Sequence, residues 1–142
     1  MVDLNNDAAA VRDFIDASIR RFQSEREHPR SVGIYGSAWG GWISINFNVT
    51  RLSSDNCPDL EFIEFDLLEF PDWREEFAAD VPQFRVGKTI ITHHSDSDDE
   101  DFNETIFDFL EPIVHAVKQK YEFDFLLQML DSRFVKRYKR EA

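Results

Sequence analysis

The stretch "SVGIYGSAWGGWISINFNVT", residues 31–50, holds two tryptophans, a tyrosine and four of the chain's five glycines. Its first part alternates, with Val32 and Ile34 on one side of an extended segment over 31–36. Gly36 to Gly41 reads as a reversal, because glycine supplies the backbone freedom that a tight turn needs. From 42 to 50 the alternation resumes. Ile43, Ile45, Phe47 and Val49 point one way, and Trp42, Ser44, Asn46 and Asn48 the other. Two extended runs joined by a short glycine-rich turn make an antiparallel hairpin, so the fold is built on a sheet. The aliphatic side is expected to face the core. The polar side, with Trp42, is expected to be partly exposed.

Upstream, Val11, Phe14, Ile15, Ile19 and Phe22 recur at three- and four-residue spacing. That predicts an amphipathic helix over 7–27, capped by Asp7 and stopped at His28-Pro29. Downstream, "LEFIEFDLL" (60–68) predicts a strand whose alternation slips at Phe62-Ile63, the mark of a bulge or of burial on both faces. Pro71-Asp72-Trp73 starts a short helix to about Ala79, with Asp72 and Glu75 as a capping pair. "FRVGKTIIT" (84–92) predicts a fourth strand. Asn103 then caps a long helix carrying Ile106, Phe109, Leu110, Ile113, Val114, Val117 and Tyr121, with Pro112 expected either to kink it or to draw its start closer to 112. Leu126, Leu127, Met129, Leu130 and Phe134 predict a last helix over 123–137. The expected fold is α+β, a single domain over 1–142. An antiparallel sheet of about four strands carries the N-terminal helix and two C-terminal helices.

The 142 residues, with 14 phenylalanines, suffice for a core without disulfides or a structural metal. One cysteine, Cys57, allows no intramolecular bridge and fits a reducing cytoplasm. The first residues do not have the pattern of a signal peptide, and no apolar run is long enough to cross a membrane. The net charge of −12 is uneven. Residues 55–111 hold 18 acidic and 3 basic side chains, a net of −15, whereas 133–142 carry a net of +4. The middle of the chain therefore repels nucleic acid and anionic lipid and attracts a cationic partner.

"DSDDED" (96–101) has the look of a calcium loop but lacks its sixth-position glycine and its terminal glutamate, Phe107 standing in that place. His28, His93, His94, His115 and Cys57 have no metal-ligand spacing, so neither a metal nor a cofactor is expected. No nucleophile elbow, phosphate loop or dinucleotide fingerprint is present, and Cys57, between Asp55 and Asp59, is a poor nucleophile. No catalytic residues are assigned. Trp73 reads as core beside Phe70. Trp39 and Trp42, flanking Gly40-Gly41 at a turn, read either as core packing or as interface anchors. With Asp96, Asp98, Asp99, Glu100, Asp101 and Glu104, they form the expected partner-binding set.

In its hairpin "GIYGSAWGGWISINFN" (33–48), the strand "LEFIEFDLLEF" (60–70) and the helix "PDWREEF" (71–77), the chain resembles small cytosolic immunity proteins. Those are the cognate inhibitors encoded beside bacterial polymorphic or contact-dependent toxins. The resemblance implies a non-enzymatic protein that neutralises a basic, nuclease-type toxin domain by occluding its active site. Fixed carboxylates would stand in for phosphates there. It also implies a monomer or weak homodimer. Two other classes are expected to differ by simple observations. An enzyme or small-ligand domain needs a deep pocket with converging polar groups. A structural oligomer would hide Trp39 and Trp42 in a self-interface.

Overall fold

The computed structural model describes residues 1–50, 56–94 and 97–139. The elements in order are β1 (Val2–Asp3), α1 (Ala8–Glu25), β2 (Ser31–Ser37), β3 (Trp42–Asn48), β4 (Phe62–Glu69), α2 (Pro71–Phe77), β5 (Gln83–Val86), β6 (Thr89–Thr92), α3 (Asp99–Lys118), β7 (Asp124–Met129) and β8 (Val135–Tyr138). The class is α+β. The strands form two sheets, ordered β4-β3-β2-β7-β8 and β1-β5-β6, rather than one antiparallel sheet of four. Both sheets are mixed, because β2 pairs with β7 and β1 with β5 in parallel.

The hairpin of 31–50 is as its alternation predicts, with Val32 opposite Phe47 and Ser37 opposite Trp42. The face bearing Ile43, Ile45 and Phe47 is the core face. Phe22 of α1 stacks on Phe47 at 4.0 Å, and Phe65 meets Phe47 edge-on at 5.5 Å. Such aromatic pairs contribute about 0.5–1.5 kcal/mol beyond the area they bury. The opposite face departs from expectation, because Ser44, Asn46 and Asn48 are buried there. A short turn at Cys57–Asp59 lies over this face. A Cβ on Gly33 would stand 2.8 Å from the Cys57 sulfur and 3.1 Å from Leu60. Gln128 of β7 fastens that turn by accepting from the Cys57 amide at 2.7 Å and donating to Asn56 at 2.8 Å.

The polar ladder serves β4. The Asn46 carboxamide donates to the Gly33 carbonyl (3.0 Å) and accepts from the Glu64 amide (2.7 Å). Asn48 accepts from the Glu61 amide at 2.8 Å. These bonds secure the slip predicted at Phe62-Ile63. Asp66 faces Ile45 while Phe62 faces Phe47, and Glu64 between them has φ +50°. A left-handed residue with a side chain costs about 1–2 kcal/mol, and the Asn46 bond offsets that locally.

The predicted C-terminal helix over 123–137 is instead the β7–β8 hairpin, turned at Asp131 (φ +49°). β7 is a central strand buried on both faces: Phe125, Leu127 and Met129 face the helices, and Leu126 lies on the side of the Cys57 turn. A strand buried on both sides loses its alternation and mimics helical spacing. The run 84–92 is also not one strand. Gly87, at φ +61°, reverses it into the β5–β6 hairpin of the smaller sheet.

Three helix starts differ in detail. α2 begins at Pro71, after Phe70, and Asp72 lies in its first turn rather than capping it. Asp7 stands at the start of α1 without a capping bond and accepts from the Trp73 indole at 3.0 Å. α3 begins five residues before Asn103 would allow, capped by Asp98, and runs through Pro112 to Lys118. Trp73 is fully buried, stacked on Phe70 at 4.0 Å, as read from the sequence.

Candidate functional site

The expected binding residues gather in part around the start of α3. Asp98 and Asp101 form a reciprocal capping box, each carboxylate accepting from the other's amide at 3.1 Å. Acidic side chains also suit the positive pole of a helix N-terminus, typically by 0.3–1 kcal/mol each. Part of the acidic run is therefore helix chemistry. Asp99 is exposed. Glu100 turns toward the β7–β8 hairpin, where a hydrogen bond from Ser132, with Asn103 and Arg133 adding to it, holds its carboxyl below the usual range. Asp96 lies outside the described residues.

Beyond the cap, Asp101, Glu104 and Asp108 follow at three- and four-residue spacing and share one face of α3. They line one side of an open groove whose other side is Ile91 and Thr92 of β6. Burial pushes the Asp108 carboxyl up, and repulsion from Glu104 and Glu111 adds to that. His93 sits at the edge of the groove, buried, its Nε2 3.0 Å from the Thr105 hydroxyl and its ring edge-on to Phe102 at 4.9 Å. Burial lowers its pKa, against a smaller opposing pull from Asp101.

Trp39 is the most exposed of the three tryptophans, at 56 %. It lies nearly parallel to Phe102 of α3, at 6.2 Å between ring centroids and 7° between planes. The turn that presents it is closed by the Gly41 amide on the Ser37 carbonyl (3.0 Å) and the Gly40 amide on the Ser37 hydroxyl (2.9 Å). Only glycine fits at 41, where φ is +68° and a Cβ would stand 2.6 Å from the Phe70 carbonyl oxygen. The Gly-Gly pair thus lets the hairpin tip dock against α2 and leaves Trp39 projecting beside α3. Trp42 is half-buried on the other face of the sheet, edge-on to Tyr35 at 6.1 Å. It is not brought to the acidic face of α3.

Phe102, Asp108 and the open side of β6 were not among the expected residues. Asp108 was legible, since it continues the spacing of Asp101 and Glu104. The contact of Phe102 with Trp39 joins distant segments and has no local signal. Cys57 is buried, and burial alone drives its thiol upward, away from nucleophilic use. Among the described residues, no three His, Cys, Asp or Glu side chains gather into a group that could hold a metal ion. None of the described helices is long and apolar enough to cross a membrane. A partly open cavity near Ser31, Phe125 and Tyr138 has about 70 Å³. The groove beside α3, at about 410 Å³, falls in the roughly 300–1,000 Å³ range of small-molecule sites but is open rather than enclosed. Comparison with protein-family models, curated proteins and solved structures finds no match for this chain.

Proposed function

We propose that this protein is an inhibitor of the immunity-protein kind, which captures a basic toxin domain in the cytoplasm and blocks its active site. One observation carries the reading. An exposed tryptophan, held over Phe102 by a glycine-shaped turn, stands beside the acidic start of α3. Buried aromatics supply much of the affinity of protein interfaces, and complementary charge supplies the approach rate and the selectivity. The carboxylates of Asp99, Asp101, Glu104 and Asp108 offer a cationic cleft what phosphates would offer it, on a rigid helix rather than on a loose segment. Preorganisation of this kind reduces the entropy lost on binding.

The test is co-expression with the product of the neighbouring gene, followed by purification and an assay of toxin activity. The expected result is a stable complex with toxin activity suppressed. Trp39→Ala, and separately Glu104→Lys with Asp108→Lys, should weaken it. A toxin that stays fully active in the presence of excess folded protein would sink the proposal.

A further inference from the structure

We propose that the open edge of β6 receives an extended, cationic segment of the partner as an added strand; the inference rests on the inhibitor reading above. Among the described residues, β6 is paired only with β5. Val86 and Thr89 face each other across the two-residue turn, and the His93 amide bonds the Pro82 carbonyl at 2.8 Å. Antiparallel ladders alternate, so this register directs the N–H and C=O of Ile90 and Thr92 away from β5.

The sheet edges of this protein are not alike. β8 carries Lys136 and Arg137, and β4 is broken by the bulge at Glu64. Charges and bulges of this sort prevent edge-to-edge pairing. β6, "TIIT", has neither, and Ile90 is exposed. What stands beside it is the acidic face of α3, across the groove lined by Ile91, Thr92, Asp101, Glu104 and Asp108. That face repels a second copy of this chain, whose net charge is −12, and admits a strand with cations at alternate positions. The spacing agrees. Asp101 to Asp108 spans about 10.5 Å along a helix, and alternate residues of a strand are about 6.7 Å apart. Two or three lysine or arginine side chains on one face of the added strand therefore reach all three carboxylates.

The experiment uses the intact protein and a fluorescein-labelled peptide, Lys-Val repeated four times. Its controls are a peptide of four lysines followed by four valines, and the alternating peptide N-methylated at every second residue. The alternating peptide is expected to bind at least tenfold more tightly than either control. Ile90→Pro, which removes an outward N–H from an edge strand where proline is tolerated, should lower its affinity at least tenfold, with Ile90→Val as the conservative control. Equal binding of all three peptides to the wild-type protein would overturn the inference, since charge alone then accounts for it. The inference also fails if folded Ile90→Pro captures the co-expressed toxin as well as the wild type does. That result would leave the inhibitor reading standing, whereas an unsuppressed toxin alongside normal peptide binding would remove that reading and spare the edge.

Discussion

Asn46→Ala is the most direct probe of how the large sheet is held together. The side chain is buried. It donates to the Gly33 carbonyl at 3.0 Å and to the Ser44 hydroxyl at 3.3 Å, and accepts from the Glu64 amide at 2.7 Å. Each such bond is worth about 1 kcal/mol net, and a stranded buried partner costs about 1–3 kcal/mol more. The substitution also leaves Glu64 at φ +50° without the bond that compensates it. The expected loss is about 3–4 kcal/mol, a large part of the roughly 5–15 kcal/mol of a typical domain. In urea, with a slope of about 2 kcal/mol/M, the midpoint should fall by about 1.5–2 M at unchanged slope. Ser44→Ala, which removes one long bond of 3.4 Å to the Tyr35 carbonyl and the contact with Asn46, should cost about 1 kcal/mol or less. Amide exchange at Glu64 should accelerate in Asn46→Ala while that of Val32 stays slow. A loss under about 1 kcal/mol, or an unchanged Glu64 amide, would refute the claim that the ladder fastens β4.

Phe47→Ala, which removes a fully buried ring stacked on Phe22, should cost about 3–5 kcal/mol in the same assay. Trp39→Ala should cost clearly less stability than that, yet weaken partner binding by about 2 kcal/mol or more, as calorimetry would show. Association with a cationic partner should slow from 0.01 to 0.15 M salt as the Debye length falls from about 30 to about 8 Å; stopped-flow rates indifferent to salt would count against steering. His93 has a folded pKa below its ordinary 6.5 because it is buried. The unfolded chain therefore binds its proton first, so the stability contribution is complete above about pH 6.5 and is lost as pH falls through the lower folded value. His93→Gln, which keeps a partner for Thr105 but does not titrate, should flatten melting temperature against pH on that acid limb.

The first hairpin was readable because its core face alternates cleanly, and the bulge in β4 was readable from the same alternation failing at Phe62-Ile63. What alternation could not convey was the fate of the second face. Ser44, Asn46 and Asn48 look like a solvent-facing ladder, but Asn46 and Asn48 bond the amides of Glu64 and Glu61 and the carbonyl of Gly33, and Ser44 the carbonyl of Tyr35, groups that carry no sequence signature. β7 was misread for the opposite reason, since Leu126 is apolar on a side that alternation assigns to polar residues. The cap of α3 was hidden by abundance: in a run of acids, several could cap, and Asp98 is singled out only by its reciprocal bond with Asp101. Of the candidate site, the turn alone left Trp39 open to either core or interface, and the packing of the hairpin tip against α2 is what leaves it exposed. The groove between β6 and α3 was not legible, because it depends on how a hairpin and a helix from different parts of the chain are set side by side.

The parallel pairing of β2 with β7 has a kinetic consequence. β2 lies in the middle of the five-stranded sheet, but its second neighbour comes from the far side of α3, across most of the chain. Closing so long a loop precedes any gain from the contacts it makes, which slows folding. Until Asp124–Met129 arrives, one edge of "SVGIYGS" is open and carries no charge to discourage other chains. During synthesis or refolding, the segment that shapes the finished hairpin is thus also the one most prone to self-association. Fragments ending before residue 124 should aggregate even though they retain both strands of that hairpin.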